Sequence, residues 1–160
     1  HGVLSMTAPL GTLLASAIAT LTSGPTLLVT IPPHRGSVRA RGADTTSLIA
    51  HRAAKVLTLA NQPAQVQQLL CRHLDNGKHV GRSAAQRQAA IKGAFQPRQK
   101  QIAKLAKFAG YRIIVVDDVI TTGATTLEAV QTLVNADVIV AGIAAVAGTP
   151  SRSWQSSTQR

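Results

Sequence analysis

At 160 residues the chain is long enough to bury one real core, and aliphatic residues and alanine must build it, because aromatics make up only 2%. The single cysteine, Cys71, excludes an internal disulfide and a multi-cysteine zinc site. A net charge of +11 points to polyanionic partners, nucleic acid or phosphate-rich small molecules, while the shortage of aromatics argues against single-strand binding by base stacking.

Thr7 to Leu21 reads as an amphipathic helix, with Thr7 as its cap, Pro9 in its first turn and Leu10, Leu14, Ile18 and Leu21 at helical spacing. Its apolar part, Ala8 to Leu21, carries Thr12, Ser16 and Thr20 and is too short to span a bilayer. No signal peptide is evident and a lone thiol suits a reducing compartment, so a cytoplasmic protein without a membrane span is expected. Ser23-Gly24-Pro25 breaks the helix. Thr26 to Ile31 reads as a central strand, running into the basic, glycine-bearing loop Pro32-Pro33-His34-Arg35-Gly36. Asp44 to about Leu59 is a second helix, capped by Asp44 or Thr45, with Leu48, Ile49, Val56 and Leu57 as its apolar stripe.

Val66 to Leu74 suggests a short strand, in which Cys71 is a small packing residue. Asp75 to Ala90 is polar, basic and glycine-containing, and reads as a mobile loop leading into a short helix. Ile91 to Phe95 is a strand candidate. Pro97 to Ala109 places Ile102, Leu105 and Phe108 on one side of a short helix and Lys100, Lys104 and Lys107 on the other, most simply a solvated face. Tyr111 to Asp117 is a strand, Ala124 to Val134 a helix with Leu127, Val130 and Val134 toward the sheet, and Val138 to Val146 a last buried strand. Residues 1–148 make one domain, and 149–160 a polar tail expected to be disordered. Strands alternating with helices, with nearly continuous apolar runs in the strands, imply an α/β fold: a mostly parallel sheet covered on both faces.

The most informative stretch is Ile113-Ile114-Val115-Val116-Asp117-Asp118-Val119-Ile120-Thr121-Thr122-Gly123-Ala124-Thr125. A doubly buried strand runs into two adjacent carboxylates at its carboxyl end, where open α/β sheets place ligands. Thr121, Thr122, Gly123, Ala124 and Thr125 form a turn of small residues opening a helix, a place where backbone N–H groups and the helix dipole favour an anion. A single Asp at a strand end usually caps the next helix. Two side by side, in a chain with six acidic residues, suit two neighbouring ribose hydroxyls instead.

Residues 115–125, Val-Val-Asp-Asp-Val-Ile-Thr-Thr-Gly-Ala-Thr, resemble the phosphoribosyl-pyrophosphate (PRPP) motif of type I phosphoribosyltransferases. The flanks resemble the ComF (competence protein F) branch. They are Leu28-Val29-Thr30-Ile31-Pro32-Pro33-His34, Arg39-Ala40-Arg41-Gly42, Ile91-Lys92-Gly93-Ala94-Phe95, and at the start His1-Gly2 with Ala8-Pro9-Leu10-Gly11. The resemblance runs from His1 to about Val146. It implies the type I phosphoribosyltransferase core and displacement of pyrophosphate from C1 of PRPP by a nitrogen nucleophile, with Mg²⁺ held mainly through PRPP and no direct metal ligand from the chain. It gives Asp117 and Asp118 the ribose hydroxyls and the developing positive charge, and Thr121 to Thr125 the 5′-phosphate. Pro33, His34 and Arg35, with Arg39 or Arg41, meet pyrophosphate, and Arg82 and Arg87 belong to a loop that closes over the ligand.

The chain departs from the family pattern in two places. Ala43-Asp44-Thr45 stands where relatives often have an aromatic-Asn-Gln step, and the mobile loop has Gln86 for Glu and Ala90 for Asn. Relatives also carry a four-cysteine zinc module and a strand upstream, and neither is visible in this sequence. The altered mobile loop, and the lack of any clear base-binding hood, favour a rival expectation: a non-catalytic ComF-type protein of DNA uptake, bound to DNA or to a competence helicase. The sequence leaves the acceptor base and any oligomeric state open.

Overall fold

The computed structural model describes residues 2–33, 43–73 and 91–149, with side chains from Met6 onward. Helix α1, Gly2–Leu21, packs with helix α2, Thr45–Leu59, on one face of the sheet. The two helices cross closely at Gly11, where a Cβ atom would run into the Cβ of Arg52. α1 starts five residues before Thr7, because nothing in Gly2–Met6 breaks a helix. Thr7 is thus a buried interior residue rather than a cap, and Pro9 lies inside the helix rather than in its first turn. For α2 the cap is Asp44, whose Oδ1 accepts from the Ser47 amide at 3.0 Å. Its buried stripe is Thr46, Ile49, Ala50, Ala53, Ala54 and Leu57, with Leu48 at the surface.

Four strands make the main sheet: β1, Thr26–Thr30; β2, Ala64–Gln67; β5, Arg112–Ile120; and β6, Val140–Gly148. Their order is β2-β1-β5-β6 and every pairing is parallel, so the expected α/β architecture is borne out. Alternation along the central strands divides the core. Leu28, Ile114 and Val116 face α1 and α2. Leu27, Val29, Ile113 and Val115 face helix α4, Ala124–Val134, on the other side. At the amino end of the sheet the buried Gln62 side chain donates to Thr22 O at 2.9 Å, Gly24 O at 3.1 Å and Thr26 Oγ1 at 3.2 Å, tying the start of β1 to the loops beneath it.

The expected strand Val66–Leu74 is two strands. The chain leaves β2 at Gln67 and begins β3, Leu70–Arg72, which pairs antiparallel with β4, Phe95–Pro97, in a separate ribbon. Leu69, buried between the two strands, and Leu70 anchor the ribbon on the α4-side core. Of the expected strand Ile91–Phe95 only Phe95 is in a strand, because Gly93 turns the chain at φ 74° and Ala94 N bonds back to Ile91 O at 2.9 Å. A one-turn helix α3, Gln99–Ile102, continues as a 3-10 segment, Ala103–Phe108. Ile102, Leu105 and Phe108 pack on the core and the three lysines face solvent, as expected. β5 outlasts its expected end at Asp117 by three residues. β6 starts two residues late, since Asn135 to Asp137 form a turn with Asp137 at φ 59°. Among the described residues no helix is long and apolar enough to cross a membrane.

Candidate functional site

The site follows from an inequality of strand lengths. β1 ends level with the middle of β5: Thr30 is the register partner of Val116, and Ile31 N reaches Val116 O at 3.4 Å. β6 continues, pairing Asp117 with Ala145, Val119 with Ala147 and Ile120 with Gly148. The last four residues of β5 are therefore held from one side, and among the described residues no strand pairs their other side. Part of the backbone there is satisfied locally. Asp118 N donates to Asp117 Oδ1 and Val119 N to Asp118 Oδ1, both at 2.9 Å.

Asp117 lies on the same face of β5 as Ile113 and Val115, so it points toward α4. The hydroxyl of Thr126, in the first turn of α4 and 2% exposed, donates to it. Asp117 has its pKa raised to about 6, first by burial of its carboxyl, then by the neighbouring carboxyl of Asp118. The Asp118 amide and the Thr126 hydroxyl pull the other way.

Beyond the carboxylates, Gly123 precedes α4 in the left-handed region at φ 74°, a conformation glycine adopts without strain, and no side chain caps the helix. Ala124 N has only a long contact to Thr122 Oγ1, at 3.4 Å. Thr149, following β6, fixes the loop from behind: its amide donates to Ile120 O and its hydroxyl to Thr121 O, both at 3.0 Å. The result is a small, shallow hollow lined by Asp117 and by residues 119–126. Its chemistry is one carboxylate beside a cluster of hydroxyls and the open amino end of an eleven-residue helix.

A family model of the phosphoribosyl transferase domain matches residues 55–158, about two thirds of the chain. The chain belongs to that family. The match takes in β2 to β6, with the carboxylate pair and the hydroxyl loop. No curated protein matches the chain. A phosphoribosyl transferase domain implies a phosphoribosyl sugar phosphate as substrate.

The structure brings Asp117 and Thr121 to Thr125 into that hollow and sets Asp118 beside it. Pro33 lines a different hollow, with Thr30, Pro32, Asp44, Gln68, Leu70 and Arg98, at the carboxyl end of β1. The two hollows lie at the carboxyl ends of the neighbouring strands β5 and β1. His34, Arg35, Arg39 and Arg41, and the loop residues Arg82 and Arg87, lie outside the described residues. Arg98, which lines the second hollow, was not anticipated from the sequence, nor was Arg72 in the adjoining ribbon. Arg98 Nε donates to Leu70 O at 3.1 Å; Arg72 Nε reaches Pro32 O at 3.4 Å, and its guanidinium lies 4.9 Å from the Phe95 ring centre. Thr126 was missed too, although it shares a helix face with the buried Ala129 and Leu133, which marks it as facing β5. Among the described residues no three His, Cys, Asp or Glu side chains gather as a metal cluster. The hard oxygens of Asp117 and Asp118 suit Mg²⁺ contact through water or ligand hydroxyls.

Proposed function

We propose that the chain binds PRPP and transfers its phosphoribosyl group to a nitrogen nucleophile, releasing pyrophosphate. The observation that carries this reading is the half-buried carboxylate of Asp117, with Asp118 next to it on β5, beside the uncapped amino end of α4. The 5′-phosphate would sit in the Thr121–Thr125 loop, receiving the backbone N–H groups of the first turn of α4. The ribose hydroxyls would donate to Asp117 and Asp118. As the C1–oxygen bond to pyrophosphate breaks, the electron pair leaves with pyrophosphate and positive charge grows on the sugar, which the two carboxylates stabilise. The nucleophile's nitrogen then forms the new bond to C1 and gives up its proton. Mg²⁺, when bound with PRPP, would neutralise charge on the pyrophosphate. Pro33 with His34, Arg35, Arg39 and Arg41 is the proposed pyrophosphate side, and Arg82 and Arg87 the closing loop. The finer assignment, to the ComF branch, rests on the flanking residues 28–34, 39–42 and 91–95.

Calorimetric titration with PRPP, with and without Mg²⁺, tests the site. Saturable binding, tightened by Mg²⁺, is expected for the native chain, and none for the double variant Asp117→Asn, Asp118→Asn at unchanged circular dichroism. Equal affinity in the two proteins would end the assignment.

A second reading, a non-catalytic DNA-uptake protein in the cytoplasm, is motivated by Lys100, Lys104 and Lys107, all exposed on one segment. It calls for DNA binding whose affinity falls steeply with salt and weakens when those lysines become alanine. A PRPP complex that accepts no base, together with such DNA binding, would favour it over transfer.

A further inference from the structure

β6 is an outer strand. It pairs with β5 along one side, and among the described residues nothing pairs with the other. It runs nine residues, Val140–Gly148, with neither a charge nor a proline. Soluble proteins usually protect such an edge with lysine, proline, short length or a covering helix. α1 lies alongside: a Cβ on Gly142 would come within 3.5 Å of Leu21 Cδ1. α1 also has no charged residue in its twenty. Its hydroxyls turn back to its own carbonyls, Thr12 to Ala8 at 3.2 Å, Ser16 to Thr12 at 3.1 Å and Thr20 to Ala17 at 2.7 Å. On and beside these two elements Leu13, Leu21, Ile139 and Ile143 are 58%, 51%, 86% and 36% exposed. A chain with 17 Lys and Arg thus keeps all of them off two adjacent elements.

We propose that this face joins two copies of the chain, β6 of one pairing antiparallel with β6 of its partner about a two-fold axis, with α1 of each closing over the seam. A two-fold contact sets a patch against itself, so like charges would oppose each other directly unless the patch has none. At +11 per copy, an uncharged face is where two copies meet without that repulsion. The area is adequate. Each element is roughly 30 Å long, and side by side they offer about 600 Å² per copy, or about 1,200 Å² in all, the lower end for a stable interface. The joined sheet of eight strands is within the size open sheets reach. An acidic or basic partner would gain no charge complementarity from this face. The contact is independent of the PRPP assignment, since it lies along the side of the sheet and not at its carboxyl end.

Light scattering on the full chain over a range of concentrations, at low and high salt, tests it. The expected species has twice the 16.7 kDa chain mass, and its share rises with salt, because screening weakens the repulsion between basic copies. Ile143→Lys, near the middle of the edge, should weaken dimerisation roughly tenfold or more by opposing two lysines across the axis. Hydrogen exchange provides a measurement that needs no variant: the amides of 140–148 should slow as concentration rises. A monomer at all concentrations and salts overturns the proposal. So does a dimer that ignores Ile143→Lys while β6 exchange stays independent of concentration, and so does open-ended assembly.

Discussion

The two halves of β5 share one strand and one ladder to β6, yet they do opposite things. Ile113 to Val116 are apolar, buried and paired on both sides. Asp117 to Ile120 are polar or partly exposed and, among the described residues, paired on one side only. The first half is anchored by burial. The second is positioned by the backbone pairing that the first half makes rigid, which leaves its side chains partly or largely exposed. A strand can thus hold a costly carboxylate pair at a fixed place, because the stabilising contacts lie four residues away.

The largest expected effect comes from weakening the anchoring half. Ile114 is 1% exposed and belongs to the core under α1 and α2. Ile114→Ala should lower unfolding free energy by about 2–5 kcal/mol, through lost burial and the cavity left behind. Chemical denaturation measures this. PRPP affinity per folded molecule should stay within about twofold of native. A large affinity loss in the folded fraction would show that the two halves are not separable.

The second effect has the opposite sign. Asp117 carries a pKa of about 6 in the folded chain against 3.8 unfolded. Between those values the folded state binds more protons than the unfolded one, so stability falls as pH rises through that window. Asp117→Asn removes the ionisation and can keep its Oδ1 as acceptor for the Asp118 amide. It should stabilise the chain at pH 7, by roughly 1–2 kcal/mol once the shift is discounted for partial exposure, and by nothing below the unfolded pKa. PRPP binding should be much weaker in the same variant. Thermal denaturation at pH 7 and at pH 4 decides it: equal gains at both would show that burial of the charge is not the cause. In the native chain PRPP binding should fade as pH drops through about 6, where Asp117 takes up its proton and stops accepting from ribose.

Central parallel strands were easy to read because burial on both faces leaves continuous apolar runs, as in Thr26–Ile31 and Ile113–Val116. The carboxylate pair was legible because acids are so scarce here. Helix phase was not. On α4 the series Leu127, Val130, Val134 and the series Thr126, Ala129, Leu133 both have helical spacing, and the larger residues looked like the core. Yet Leu127 is 63% and Val134 49% exposed, while Ala129 and Leu133 are fully buried. The small Ala129 and Thr126 are what allow α4 to approach β5, and size-blind periodicity cannot show that. The ribbon was missed for a related reason. Nothing in Gln67-Gln68 breaks a strand, and only the antiparallel partner at Phe95–Pro97 draws Leu70–Arg72 out of the main sheet. The edge of β6 escaped notice because a buried strand and an unpartnered apolar strand look alike in sequence.

The smallest effect separates two roles for α4, adjusting the carboxylate or only covering it. Thr126 is buried on the face of α4 that meets β5, and its hydroxyl pulls the pKa of Asp117 down against burial. Thr126→Val keeps the shape and removes the donor, at a cost of about 1 kcal/mol in stability. Asp117 should then hold its proton to higher pH. PRPP affinity should be roughly three- to tenfold weaker near pH 6, close to native near pH 8, and restored at both by Thr126→Ser. If the helix only covers Asp117, the pH at which binding fades will not move, whatever happens to stability. A midpoint that rises in the valine variant and returns in the serine variant can come only from the hydroxyl, since serine lacks the threonine methyl and valine supplies it.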